Sequence, residues 1–137
     1  MSARSGLSAE TARVLRFAVV GVTVSALYAG LYALFRWAEM TPGIASPLAF
    51  GLAVIWQYIA QSLWTFSAGI ASGSQAARFV ATVSMGAITA ALVSGLIAPA
   101  IGAPEAVAIL AVMGLTAAQN YLFFRLWVYR RAIANDG

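Results

Sequence analysis

The chain has 137 residues, 62% of them hydrophobic and only 9% charged. Soluble domains carry roughly 25% charged residues, so too few polar side chains remain to cover a water-facing surface, and the class is integral membrane protein. The net charge of +4 rests on eight arginines gathered near the ends of apolar runs, which is the pattern of membrane anchoring and topology and not of a nucleic-acid stripe. The absence of Cys, His and Lys removes thiol chemistry, imidazole bases, Schiff bases and the usual zinc, haem and iron–sulfur ligands, so no metal and no cofactor is expected.

Residues 1–13 are short, polar and basic, and Ser8 to Arg13 can begin an interfacial helix that runs into the membrane. The first apolar segment spans about 14–35. A bilayer core needs roughly 20 helical residues, whereas a signal peptide has an apolar region of about 7–15, so a retained membrane helix is predicted. Arg36, Trp37 and Glu39 end it, and Thr41, Pro42 and Gly43 make the turn. The second segment spans about 47–66, with Pro47 in its first turn. A small-residue loop from Ser67 to Gln75 leads to the third, about 77–98, which Pro99 closes. After Gly102, Ala103 and Pro104 the fourth runs from about 105 to 129, and a short polar tail comes last. The expected organisation is a single membrane domain over residues 1–137.

Two stretches repeat. QYIAQSLWTF (57–66) closes the second segment and NYLFFRLWVY (120–129) closes the fourth. Tyr58 and Tyr121, like Trp64 and Trp127, lie 63 residues apart. Arg16-Phe17 and Arg78-Phe79, which open the first and third segments, lie 62 apart. The predicted fold is therefore all-α: an integral membrane four-helix bundle made of two helical hairpin repeats of parallel topology. Arg4, Arg13, Arg16, Arg78, Arg125, Arg130 and Arg131 fall on one side and Arg36 alone on the other. Positive residues stay cytoplasmic, so both termini are expected at the cytoplasmic face of the inner membrane. Like-oriented repeats imply a pseudo-two-fold axis along the membrane normal.

Rows of small residues four apart, Gly21, Ser25, Ala29 and Gly86, Ala90, Ser94, suit close helix approach, either within the bundle or at a homodimer seam. Polar groups inside spans face a partner or a cavity. Gln57, Gln61 and Trp64 are spaced to share one helical face; Asn120 and Trp127 repeat the outer two, and Gln119 lies beside Asn120. These amides either knit helices together or line a path for a lipid headgroup. Arg16, Arg78 and Arg125 sit near the same ends of three helices and either snorkel to headgroups or hold a phosphodiester in paired hydrogen bonds. Tyr58, Tyr121, Trp64 and Trp127 form an interfacial aromatic belt or stack on a sugar.

Glu10, Glu39, Glu105 and Asp136 all lie at or beyond span ends. With no acid mid-membrane, a proton-coupled multidrug exporter is disfavoured, and without paired acids so is a membrane enzyme.

The opening RFAVVGVTVSALYAGLYALF and the two closures resemble the GtrA-like family of small four-span membrane proteins. The resemblance covers Arg16 to Arg130. Asn120, Tyr121, Arg125, Trp127, Val128 and Tyr129 match the family pattern, as do Tyr58, Trp64, Thr65 and Phe66; Gln57, Gln61, Ser62 and Leu63 depart from it where Asn or basic residues are usual. The resemblance implies cell-envelope polysaccharide synthesis, either as a flippase for polyprenyl-phosphate-linked monosaccharides or as a non-transporting anchor or accessory subunit of a glycosyltransferase. In the flippase reading Arg16, Arg78 and Arg125 hold the phosphate; Gln57, Gln61, Gln119 and Asn120 bind the sugar; Trp64 and Trp127 border the entrance. Prenyl tails stay in lipid. A homodimer is expected, because four helices enclose little volume, and membrane lipids are the other partners.

Overall fold

In lipid every backbone polar group must be satisfied within its own segment, and a chain this rich in Ala, Leu and Val meets that demand as helix. The computed structural model describes residues 2–136, with the side chains at positions 2, 3, 5 and 136 outside the description. The chain ends Met1 and Gly137 and the acidic group of Asp136 therefore lie outside the described residues.

The described residues form α1 (Ser2–Trp37), α2 (Pro42–Ala60), a π-turn (Gln61–Thr65), α3 (Gly73–Leu92), a second π-turn (Val93–Ile97), α4 (Ala98–Ala100), α5 (Glu105–Phe123), a third π-turn (Phe124–Val128) and α6 (Arg130–Asp136). Four helical stretches, Gly6–Trp37, Pro42–Thr65, Gly73–Ala100 and Glu105–Val128, are long and apolar enough to cross a membrane, with mean hydropathy of 1.5 to 1.9 over their most apolar windows. The fold class is all-α, a multi-pass membrane protein.

The chain divides into two compact units, Met1–Ile70 and Ala71–Gly137. Each is one helical hairpin. In the first, Trp56 Nε1 donates to Thr23 Oγ1 at 3.1 Å, and the Tyr28 and Ser46 hydroxyls bond at 2.8 Å. Ala45, Ala49 and Ala53 are buried, so α2 presents an all-alanine stripe that lets α1 come close. In the second, α3 and α5 meet at Gly86, where a Cβ would lie 2.9 Å from Asn120 Oδ1. Gly86 of the second small-residue row thus serves packing inside its hairpin, while Ser25 and Ala29 of the first row are exposed.

The repeat is closer in three dimensions than in sequence. Each hairpin turns through a Schellman motif. In the first, Met40 N–H donates to Phe35 O and Glu39 N–H to Arg36 O, both at 3.0 Å, with Glu39 at φ 66°. In the second, Ala103 N–H donates to Ala98 O at 2.9 Å and Gly102 N–H to Pro99 O at 3.2 Å, with Gly102 also at φ 66°. Glu39 and Gly102, the starts of α2 and α5, and the starts of the first and third π-turns are all 63 residues apart. The π-turn at Val93–Ile97 explains why the opening arginines are only 62 apart. A π-turn is a single-residue insertion in an α-helix, and this one lies between Arg78 and the second hairpin's turn.

Helix bounds differ from the sequence-based expectation: α1 is helical from Ser2, α3 starts at Gly73 inside the expected loop, the expected polar tail is helix α6, and three further differences lie at the turns and prolines. The first turn is at residues 38–40, and Pro42 and Gly43 belong to the first turn of α2, because the αL residue at 39 reverses the chain earlier. Pro47 consequently lies inside α2, where its ring denies the Gly43 carbonyl its usual donor. Pro99 does not close the third span. The register slips to i→i+5 just ahead of it, with Ala98 N–H on Val93 O, and the helix continues to Ala100.

Candidate functional site at the closing ends of the hairpins

Each hairpin closes on a π-turn that carries a tryptophan. At a helix C-terminus the last carbonyls have no helical partner, and cations are favoured there. Arg16 Nη1 donates to the main-chain carbonyl of Trp64 at 3.3 Å, and its guanidinium lies 5.7 Å from the centre of the Trp64 ring. Arg78 does the same to Trp127, at 3.3 Å and 5.8 Å. An arginine on the incoming helix thus latches the end of the outgoing helix in both units. Trp64 and Trp127 are 45% and 38% exposed, so these stacks sit at the surface of their units.

Behind the latches the hairpins differ. In the second, Phe124 is fully buried, stacked on Phe79 at 5.0 Å and edge-on to Tyr129 at 5.9 Å. In the first, the equivalent buried position is Gln61. Spacing alone puts Gln57, Gln61 and Trp64 on one face. Instead Gln57 is half-buried, Gln61 fully buried and Trp64 exposed, because the π-turn beginning at Gln61 adds a residue and rotates the positions after it.

The other candidates divide between knitting and lining. Gln119 Oε1 accepts from Thr89 Oγ1 at 2.9 Å, which ties α5 to α3. Asn120 is half-buried, its carboxamide oxygen packed at Gly86 without a hydrogen-bond partner. Tyr58 is half-buried and donates to Ile70 O at 3.4 Å; Tyr121 is half-buried. Arg78 and Arg125 attend the same π-turn, whereas Arg16 attends its counterpart in the first unit.

Arg125 and Arg130 line an open recess of about 250 Å³ in the second unit, with Leu126, Ile133 and Ala134 as its apolar wall. In the sequence Arg130 stands out only as a marker of topology. It lies five residues from Arg125, across the break between the π-turn and α6. A larger apolar depression of about 480 Å³ lies toward the other end of the second unit, between Ser94 and Met113, with Glu105 at its edge.

No curated protein matches the chain. The family model for the GtrA/DPMS transmembrane domain matches residues 16–129, from the first latch arginine to the end of the second closure. The chain therefore belongs to the GtrA/DPMS transmembrane-domain family, which places it in glycosyl-lipid or polysaccharide synthesis.

Proposed function

We propose that the chain binds polyprenyl-phosphate-linked monosaccharides at the cytoplasmic face of the inner membrane and passes them across it, without catalysing a reaction on them. The observation that carries this reading is the recess bounded by Arg125 and Arg130 on one side and Leu126, Ile133 and Ala134 on the other. Two guanidinium groups beside an apolar wall match a phosphate carried on a hydrocarbon tail, since guanidinium forks pair with phosphate oxygens while the tail stays in lipid. Arg78, which sits at Trp127 on the same turn, adds positive potential there. Arg16 offers a second cationic station in the first unit. Half-buried Asn120, five residues before Arg125, and Gln57 at the equivalent position of the first unit each supply hydrogen bonds for the sugar within their own hairpin. A second copy of the chain is the expected partner, through the exposed Ser25 and Ala29 of α1.

The test is a reconstitution. Vesicles containing the protein should expose a prenyl-phosphate sugar at the far leaflet faster than empty vesicles, and Arg125→Gln with Arg130→Gln should remove the gain. Equal rates with and without protein would end the transport reading. One observation favours the rival, an accessory subunit of a glycosyltransferase: Gln119, Arg16 and Arg78 are all engaged within their own hairpins. That reading predicts no transport and co-purification of a transferase whose activity survives Asn120→Leu.

A further inference from the structure

The repeat allows a comparison inside one chain. In the second hairpin the two buried positions of the closing π-turn are Phe124 and Val128, 0% and 5% exposed. Their equivalents in the first hairpin, 63 residues earlier, are Gln61 and Thr65, 0% and 4% exposed. The same packing problem is therefore solved once with a phenyl and an isopropyl group and once with a carboxamide and a hydroxyl. Neither Gln61 Oε1 nor Gln61 Nε2 has a hydrogen-bond partner in the structure, and neither does Thr65 Oγ1. Thr65 does not even make the bond to the preceding turn that Thr11, Thr82 and Thr116 make. Buried polar atoms are ordinarily satisfied, and a group left dry destabilises the fold that holds it. Packing does not require this pair, because the twin turn does without it.

Between the two in sequence stands Trp64, on the same π-turn, with the Arg16 guanidinium over its ring and bonded to its carbonyl. A π-turn carries one residue more than the helix needs, and such turns are frequent at functional sites. An anion that competes for the Arg16 guanidinium offers it a charge-assisted bond in place of a neutral carbonyl, and so releases Trp64.

We infer that Gln61 and Thr65 form a hydroxyl-recognising subsite of the first hairpin, beside the Arg16–Trp64 latch on the same π-turn, that takes the sugar of an anionic glycolipid; the second hairpin, with Phe124 and Val128 at these positions, lacks this subsite. The inference rests on the lipid-binding reading above and narrows it. A carboxamide and a hydroxyl each donate and accept, which suits neighbouring sugar hydroxyls, and neither carries the charge a phosphate needs. The phosphate of the same lipid falls to Arg16.

The full-length chain in nanodiscs of zwitterionic lipid is titrated with farnesyl phosphate and with its glucosyl, mannosyl and arabinosyl phosphodiesters. Wild type should bind at least one phosphodiester more tightly than the bare phosphate. Gln61→Leu with Thr65→Val should cut that preference about tenfold, the loss of roughly two hydrogen bonds, leave bare-phosphate binding unchanged and raise the thermal unfolding midpoint. Thr65→Val alone, which swaps a hydroxyl for a methyl, should cut it about threefold and covers the case in which the double variant does not fold. A sugar preference that survives in a folded variant, or a midpoint that falls in Thr65→Val, overturns the subsite. Wild type that binds bare phosphate with no sugar preference also overturns it, while the phosphate reading stands. Wild type that binds none of the four lipids removes both.

Discussion

The guanidinium of Arg78 meets Trp127 twice, through a hydrogen bond to its carbonyl at 3.3 Å and a face contact at 5.8 Å from the ring centre. Arg16 and Trp64 reproduce the pair in the other unit. A surface cation–π contact contributes about 0.5–1 kcal/mol and a hydrogen bond about 1 kcal/mol. Arg78→Gln should therefore lower stability by about 1–2 kcal/mol, read from denaturant unfolding in detergent. Arg78→Lys keeps the charge without the planar fork and should recover about half of that loss.

Glu39 holds the αL position that Gly102 holds in the twin turn, both at φ 66°. A Cβ in that conformation is strained, and Gly is not. Glu39→Gly should stabilise the protein by about 0.5–1 kcal/mol, whereas Gly102→Ala should destabilise it by a similar amount. Thermal unfolding of the two variants side by side checks the sign of each.

Gly86 packs against Asn120 with no room for a methyl group: an added Cβ would stand 2.9 Å from Oδ1 and 3.4 Å from Nδ2. Gly86→Ala makes the half-buried Asn120 amide turn away, a cost that offsets the roughly 1 kcal/mol Ala gains over Gly in a helix, so the variant should be no more stable than wild type. In an Asn120→Ala background the same change should stabilise the protein by up to about 1 kcal/mol. A double-mutant cycle should return a coupling of about 1 kcal/mol or more; simple additivity would mean that the two residues do not press on each other.

Span number, the hairpin repeat and the arginine-rich closing ends are legible in the chain, because helix length, turn residues and charge placement leave marks in composition. The π-turns leave none common to all: QSLWT and FRLWV share Leu-Trp as copies of the repeat, but VSGLI has neither residue at those positions. Their one trace is the change of offset from 62 to 63 between the opening and closing motifs, which is an insertion, and Val93–Ile97 is where it is absorbed. Without the register change at Gln61, plain helical spacing misjudges the face shared by Gln57, Gln61 and Trp64. A sequence cannot show that a tryptophan carbonyl 48 or 49 residues away accepts a hydrogen bond from Arg16 and from Arg78. The dry pair at Gln61 and Thr65 can be found by laying the two closures side by side, where Phe124 and Val128 stand opposite them.

The most direct measurement is the affinity of the full-length chain for farnesyl phosphate in zwitterionic nanodiscs, compared with the Arg125→Gln/Arg130→Gln variant over a range of salt. The recess predicts about a tenfold or greater loss of affinity in the variant and a shallower dependence on salt, because two phosphate-facing charges are gone. Unchanged affinity with the same salt dependence would contradict it, since the phosphate would then lie elsewhere.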